Sequence, residues 1–480
     1  MEQELPSGRN MRADTAGGGA RAGLVPSRQW STRGLTRRGS SLRAQSLRAM
    51  PPQPPSADHP RILIANGFHR FHLAYLAAGL RQREWDVELL TGAYPSGAAA
   101  AILRNLPIQG SCRLGRLNDR QVGIESDRVH ADFASELIER TGRVLRAKGA
   151  VRLGGTLEVA SFRLAGLRAA RMVRKARHLS AYHFRSGFGL ASLDAARRRG
   201  VPTICDHSIA HPVVVDALVR NSGRLPAGWS PEEPRGIWRL AVEDIERADW
   251  IVVNSDFVRD TFEWAGVDTT RVKVIYLGVE PEFVRSIPER VAPPGEGALR
   301  LLFAGEIGQR KGADVLFRAL STLKGVEWRL DLAGPTTPAI SADWSTFLGD
   351  PRVTWHGTVR RQEVAALMSR ADVFVFPSLA EGSARVIAEA MAAGCYVITT
   401  RNSGSIVEDG VHGRIVPAGD HEALAAALSH TAEQRGTLSL IGRTNADIIR
   451  REYLAEHYAA RVGAFYQEIL GRTSRGEGLP

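Results

Sequence analysis

Cysteine is scarce. Cys112, Cys205 and Cys395 are the only three in 480 residues, they lie far apart, and any pairing leaves one over. A disulfide framework and a zinc site are therefore both disfavoured, and a reducing cytoplasm is the expected setting. No run of about 18 apolar residues is present to cross a bilayer. The first residues also lack the apolar stretch of a secretory signal. The spacing G-x-x-x-x-G-K-[ST] of a phosphate loop is missing, as is an Asp-x-Asp pair. Lysines are few, which argues against pyridoxal phosphate chemistry, since that needs a Schiff-base lysine. No internal repeat of 20–50 residues is visible.

What is present is arginine. The formal net charge is +12, and nine arginines stand before Met50 against Glu2, Glu4 and Asp14, so half of the excess belongs to the first tenth of the chain. That stretch has few large apolar residues and no helical period. It is expected to be a disordered basic tail over 1–58, because it buries too little to offset chain entropy. Its composition fits an organelle transit peptide. Translation from Met50 and nucleic-acid binding are the other readings. The body is only mildly basic, and no nucleic-acid partner is expected of it.

With 44% hydrophobic and 24% charged residues the body reads as globular, and its length asks for two domains. "RILIANGF", then a helical pattern, then "VELLTG" make one strand–helix–strand unit, and "SAYHF", "VPTICD", "ADWIVVNS" and "VKVIYLG" continue the alternation. A Pro/Gly-rich linker follows at 285–298. The alternation restarts at "LRLLFAGE" and runs to "CYVITT", with helices closing the chain. The expectation is α/β, two Rossmann-like doubly wound domains facing across a cleft: 59–284, then 299–450, with a terminal helical stretch over 451–480. Between Arg143 and Arg199 the chain is conspicuously basic. Leu164, Leu167, Met172 and Val173 give the helix there an apolar face, expected either in the core or at an anionic membrane.

Two stretches carry chemistry. In "VFVFPSLAEGSARVIAE" a buried strand ends at Pro377-Ser378, and a loop with Glu381-Gly382 leads into a helix. Gly382, Ser383 and Ala384 are small, so backbone amides at the helix start form an anion seat. Glu381 and Glu389 flank that seat and suit sugar and ribose hydroxyls. In "LLFAGEIGQRKGADVLFRAL" a strand ends at Ala304-Gly305, and the next loop presents Arg310 and Lys311, a bidentate donor and a point charge suited to a diphosphate.

In this order the two stretches resemble the retaining glycosyltransferases of family 4, which have the GT-B fold. The match runs from about Arg61 to the end. It rests on E-x7-E (Glu381, Glu389), with support from "NSDFVRDTF", "VKVIYLGVEPEFV" and "NSGSIVEDGVHGRIVPAGD". The resemblance implies Glu389 on the ribose, Glu381 beside the hexose, and Arg310 and Lys311 on the diphosphate. Gly305 and the Gly382–Ala384 amides would support the donor, and Val359 in "HGTVRR" would line the base. His207 and His211 in "TICDHSIAHP" would lie near the reacting centre, with Gly67, His69 and His72 on the acceptor side. His69 and His72 are three apart, but no third metal ligand is evident. No metal or other cofactor is expected.

Two departures stand out: Glu306 where relatives often have arginine, and "EGSA" for the frequent "EGFG". The implied activity is transfer of a hexose from a UDP- or GDP-sugar to a hydroxyl of a glycan, a lipid-linked or a small-molecule acceptor, in polysaccharide or glycoconjugate synthesis. It would take place in the cytoplasm or peripherally at the inner face of a membrane. Nucleotide-sugar epimerisation and non-catalytic nucleotide-sugar binding are the competing readings.

Overall fold

Thirteen strands among the described residues sort into two sheets, and every strand pair is parallel. A computed structural model describes residues 60–69, 71–95, 120–290 and 297–475. The basic tail, Cys112, the middle of the linker and the end of the chain lie outside them.

The first sheet is built from β1 (Arg61–Gly67), β2 (Asp86–Thr91), β3 (Val129–Ala131), β4 (Leu179–Arg185), β5 (Thr203–His207), β6 (Trp250–Val253) and β7 (Val272–Val274), in the order β3-β2-β1-β4-β5-β6-β7. The second takes β8 (Leu299–Ala304), β9 (Trp328–Ala333), β10 (Val353–Trp355), β11 (Val373–Phe376), β12 (Tyr396–Thr400) and β13 (Gly413–Val416), in the order β10-β9-β8-β11-β12-β13. Central strands such as β11, "VFVF", are buried on both faces. They therefore read as continuous apolar runs rather than alternating ones.

In each sheet the order reverses once, between β1 and β4 and between β8 and β11. Loops leaving those carboxyl ends splay apart and open a crevice, the place where such sheets hold ligands. The two sheets belong to one compact unit. The helix Ala455–Ser474 packs back on the first sheet, where Val462, Phe465 and Tyr466 share a core with Leu73, Leu76 and Leu80 of the helix His72–Arg81.

Three features differ from the sequence reading. β3 and β13, of three and four residues, were too short to show a period. Helix Arg435–Glu452 carries little sequence signal, because few of its residues are buried and its apolar positions are correspondingly sparse. In the basic helix Val151–Lys175 the expected apolar face divides, with Val173 in the core and Met172 packed against it. Ala165, Ala169, Ala170 and Val173 face the core, whereas Leu164 and Leu167 are 43% and 44% exposed. Small residues let this helix lie close to its neighbours, so its leucines were not needed inside.

Candidate functional site

The loops after β8 and β11 are fastened to each other. The Arg310 carbonyl accepts from the Leu379 amide at 2.9 Å and from the Ser378 hydroxyl at 3.1 Å. Gly312 makes this approach possible, because it sits at φ +76° and a Cβ there would stand 2.0 Å from the Pro377 carbonyl oxygen. Arg310 then reaches across with its side chain, one Nη donating to Glu381 at 2.5 Å and to the Ala380 carbonyl at 3.2 Å. Lys311 is buried beneath the same loop, its Nζ 5.8 Å from the centre of the Phe376 ring and beside Gly305. The expected diphosphate pair and the expected sugar carboxylate thus meet at the switch point of the second sheet.

A third loop, after β12, backs this one. The Glu381 amide donates to the Asn402 carbonyl and the Ala384 amide to that of Ser403, each at 2.9 Å. The Ala384 amide is therefore committed to the fold, which corrects its place among the expected anion donors and leaves that role to Gly382, Ser383 and the first helical amides. Gly382 is one of the places where the lobes touch: its carbonyl accepts from the Ser255 hydroxyl at 2.5 Å. A Cβ on it would stand 1.9 Å from the Ser208 carbonyl oxygen. Val359 is half-buried against the second core, in the loop after β10.

Glu389, in the helix Arg385–Ala392, is not a solitary carboxylate. Its Oε1 accepts from Arg361 at 2.6 Å and lies 3.8 Å from Arg385. Both arginines also hold Glu280 from the first-lobe side, Arg385 at 2.6 Å and Arg361 in a shorter contact. Burial pushes the Glu389 carboxyl above its usual range, against the pull of Arg361 and Arg385. Burial also opposes ionisation of Glu280, but Arg385 and Arg361 outweigh it and hold that group at about 2. The result is two carboxylates on two guanidiniums in a partly dry place, where each charge depends on the others.

Across the cleft, β5 ends at His207. Its Nδ1 is 2.8 Å from the Ser186 hydroxyl and its Nε2 is 3.5 Å from the Ala210 carbonyl oxygen. Burial lowers its pKa to about 4, so the ring is neutral at physiological pH. His211 is lowered further, to about 3, by burial and by its neighbour His207. It caps the helix Pro212–Arg220, and its ring lies edge-on to Phe262 at 4.9 Å. Of the two histidines that the sequence offered equally, His207 stands beside the Ser208–Gly382 contact, and His211 serves the helix start.

Gly67 and His69, with φ +74° and +62°, form the turn after β1. His69 lies 3.1 Å from Glu139 and 3.0 Å from Arg143 of the helix Phe133–Ala147. Arg120 joins this group by a bidentate contact to Glu136 at 2.8 Å. His72 turns the other way and meets buried Asp206 at 3.0 Å and the Tyr458 ring at 5.8 Å. It ties β5 to the crossing helix and also lines a cavity with Glu280 and Arg385. The two rings therefore serve different carboxylates, and no group of three His, Cys, Asp or Glu residues disposed to hold a metal occurs among the described residues.

Sequence reasoning missed Glu280, Arg361, Arg385 and Ser186. The first three sit inside "GVEPEFV", "HGTVRR" and "EGSARVIAE", but their convergence on Glu389 is a matter of folding, not of spacing. A second miss is Asp244, which accepts from the amides of Gly187, Gly189 and Leu190 at 2.7 Å each and so fixes the loop that carries Ser186.

Comparison with known proteins follows the two lobes. Residues 70–283 match the family model described as Glycosyltransferase Family 4, and residues 298–434 match that of Glycosyl transferases group 1. A D-inositol 3-phosphate glycosyltransferase of Arthrobacter sp. (strain FB24) is 29% identical over 54% of this chain and 63% of its own length. The putative colanic acid biosynthesis glycosyltransferase WcaL of Salmonella typhimurium is 29% identical over 49% of this chain and 66% of its own. The chain spans between about half and two thirds of the length of these and similar curated relatives. Among solved structures, HepE of Anabaena, in complex with UDP and glucose, superposes with a TM-score of 0.52 at 16% identity, covering 85% of this chain and all of that one. That likeness supports the fold, GT-B.

Proposed function

Because the chain belongs to glycosyltransferase family 4, we propose that it moves a hexose from a nucleotide diphosphate sugar to an acceptor hydroxyl, with retention of configuration and without a metal. One observation carries the reading. Arg310, Lys311 and Glu381 converge at the switch point of the second sheet, directly opposite His207 and Ser208.

The chemical problem is breaking a sugar–phosphate bond while negative charge grows on the departing diphosphate. Fixed cations and helix-start amides aimed at that oxygen meet this need without reorganisation. In this reading Arg310 turns part of its pairing from Glu381 to the diphosphate, and Lys311 supplies a second charge from below. Glu381 is then released toward the hexose hydroxyls, and Glu389 accepts from the ribose hydroxyls while Arg361 and Arg385 offset part of the cost of burying it. Attack comes from the face the leaving group departs, and the phosphate itself takes the acceptor proton. His207, neutral at physiological pH, hydrogen-bonds the sugar rather than carrying a proton.

The acceptor enters past Gly67 and His69. The arginines there, and the colanic acid for which WcaL is named, favour a glycan or an anionic acceptor. The complexes of HepE with UDP and glucose and with UDP-glucose make UDP-glucose the first donor to try. The test is acceptor-dependent release of UDP or GDP by wild type and by Glu389→Ala. Donor binding without turnover on any acceptor would reduce the protein to a nucleotide-sugar binder, and donor affinity unchanged in Glu389→Ala would remove the ribose assignment.

A further inference from the structure

Eleven large apolar side chains stay exposed among the described residues, and seven of them lie on one helical hairpin. Phe133, Leu137 and Val144 are on its first helix, Phe133–Ala147. Val151 and Leu153 are at its tip, and Leu164 and Leu167 are on its second helix, Val151–Lys175. On the second helix Leu153, Leu157, Ala160, Leu164 and Leu167 fall at alternating spacings of four and three, a single outward stripe. The face turned to the core is a different one, built on Ala165, Ala169 and Val173.

Charge on the hairpin is sorted as sharply. Between 133 and 177 the sequence has eleven arginines and lysines against three acids. All three acids, Glu136, Glu139 and Glu158, are buried and paired inward with Arg120, Arg140, Arg143 and Arg146. The outer surface therefore shows Lys148, Arg152, Arg163, Arg171 and Arg174 around an apolar stripe, with no carboxylate among them. An exposed apolar patch of this kind marks a contact surface. A second copy of the chain would set arginine against arginine. A nucleic acid would answer the charge but leave the leucines wet.

We propose that this hairpin docks on the surface of a bilayer rich in anionic phospholipid, leucines in the acyl boundary and arginines at the headgroups. The inference stands apart from the chemistry proposed above. It does bear on it, since Arg143 of the same hairpin reaches His69 at the acceptor side. Docking would bring that opening close to an acceptor held in the membrane.

The test is co-sedimentation of the full chain with vesicles of equal parts phosphatidylcholine and phosphatidylglycerol, and with phosphatidylcholine alone. Wild type is expected to bind the mixed vesicles at least about tenfold more tightly. Leu164→Ser with Leu167→Ser should weaken binding about tenfold or more, since both side chains leave the acyl boundary. Arg163→Glu with Arg171→Glu should weaken it about fivefold per site. Leu440→Ser, at a more exposed position elsewhere, should change nothing, and unchanged thermal melts would show that the fold is intact. Vesicle binding that survives both double variants, carried instead by the arginine-rich first fifty residues, would overturn the proposal. So would absence of vesicle binding with a change in solution mass on replacing the leucines, which would make the face a dimer contact.

Discussion

The two lobes share one topology and are built to opposite tolerances at their open ends. In the second, the loops after β8, β11 and β12 are knotted together by backbone hydrogen bonds, from Leu379 to Arg310, from Glu381 to Asn402 and from Ala384 to Ser403. Gly312 permits the approach of two of them. In the first lobe backbone bonds join neighbouring strand ends, Gly92 to Gly67 and Ser186 to Asp206, but the loops beyond them are held by side chains: His69 with Glu139, His207 with Ser186, and Asp244 spanning three amides. A rigid backbone frame suits a ligand part that is the same for every turnover, a nucleotide diphosphate. A frame made of side chains is easily respecified and suits the variable partner, the acceptor.

Changes that strike the knotted loops should be the most damaging. Arg310→Ala removes the charge at the leaving diphosphate and is expected to lower kcat by about a hundred- to a thousandfold, with donor binding weakened less. A steady-state comparison of kcat and KM for the donor checks this. Gly382→Ala places a Cβ 1.9 Å from the Ser208 carbonyl oxygen and should separate the lobes, costing activity and about 1–3 kcal/mol of stability, measured by urea unfolding.

The histidines sharpen the contrast within the first lobe. His207→Ala should reduce kcat with little change in the unfolding midpoint. His211→Ala should instead cost about 1 kcal/mol through the lost helix cap and leave kcat nearly intact. Both rings are held below their unfolded pKa, at about 4 and about 3. The native state then binds fewer protons than the unfolded one at mildly acidic pH. Stability is accordingly full above about pH 6.5 and falls progressively as pH drops through 4. Denaturant midpoints taken across that window should decline, and His211→Phe should flatten the decline.

How much of this was legible in advance follows the same division. Strands such as "LLFA" and "VFVF" are buried on both faces, so their apolar runs announced them. Glu381, Arg310 and Lys311 stood in loops after strand ends, where a doubly wound sheet must place its ligand, and Glu389 stood in the helix that follows one of them. The site was visible because topology and motif agree there. What could not be read were contacts between distant segments: Glu280 reaching Arg361 and Arg385, Asp244 holding a loop 55 residues away, His72 meeting Asp206. Each is a single polar side chain whose partner is set by how the lobes meet, and no local period records that. The choice between core and surface for Leu164 and Leu167 stayed open for a related reason. An apolar residue is placed inside only when smaller ones have not already filled the space.

The division of labour between the lobes is most directly tested by calorimetric titration of UDP and GDP into wild type, Glu389→Ala and His69→Ala. The account predicts that one nucleotide binds wild type, that Glu389→Ala weakens it by about tenfold or more through the lost ribose hydrogen bonds, and that His69→Ala leaves it unchanged. Nucleotide binding lost in His69→Ala and retained in Glu389→Ala would contradict it.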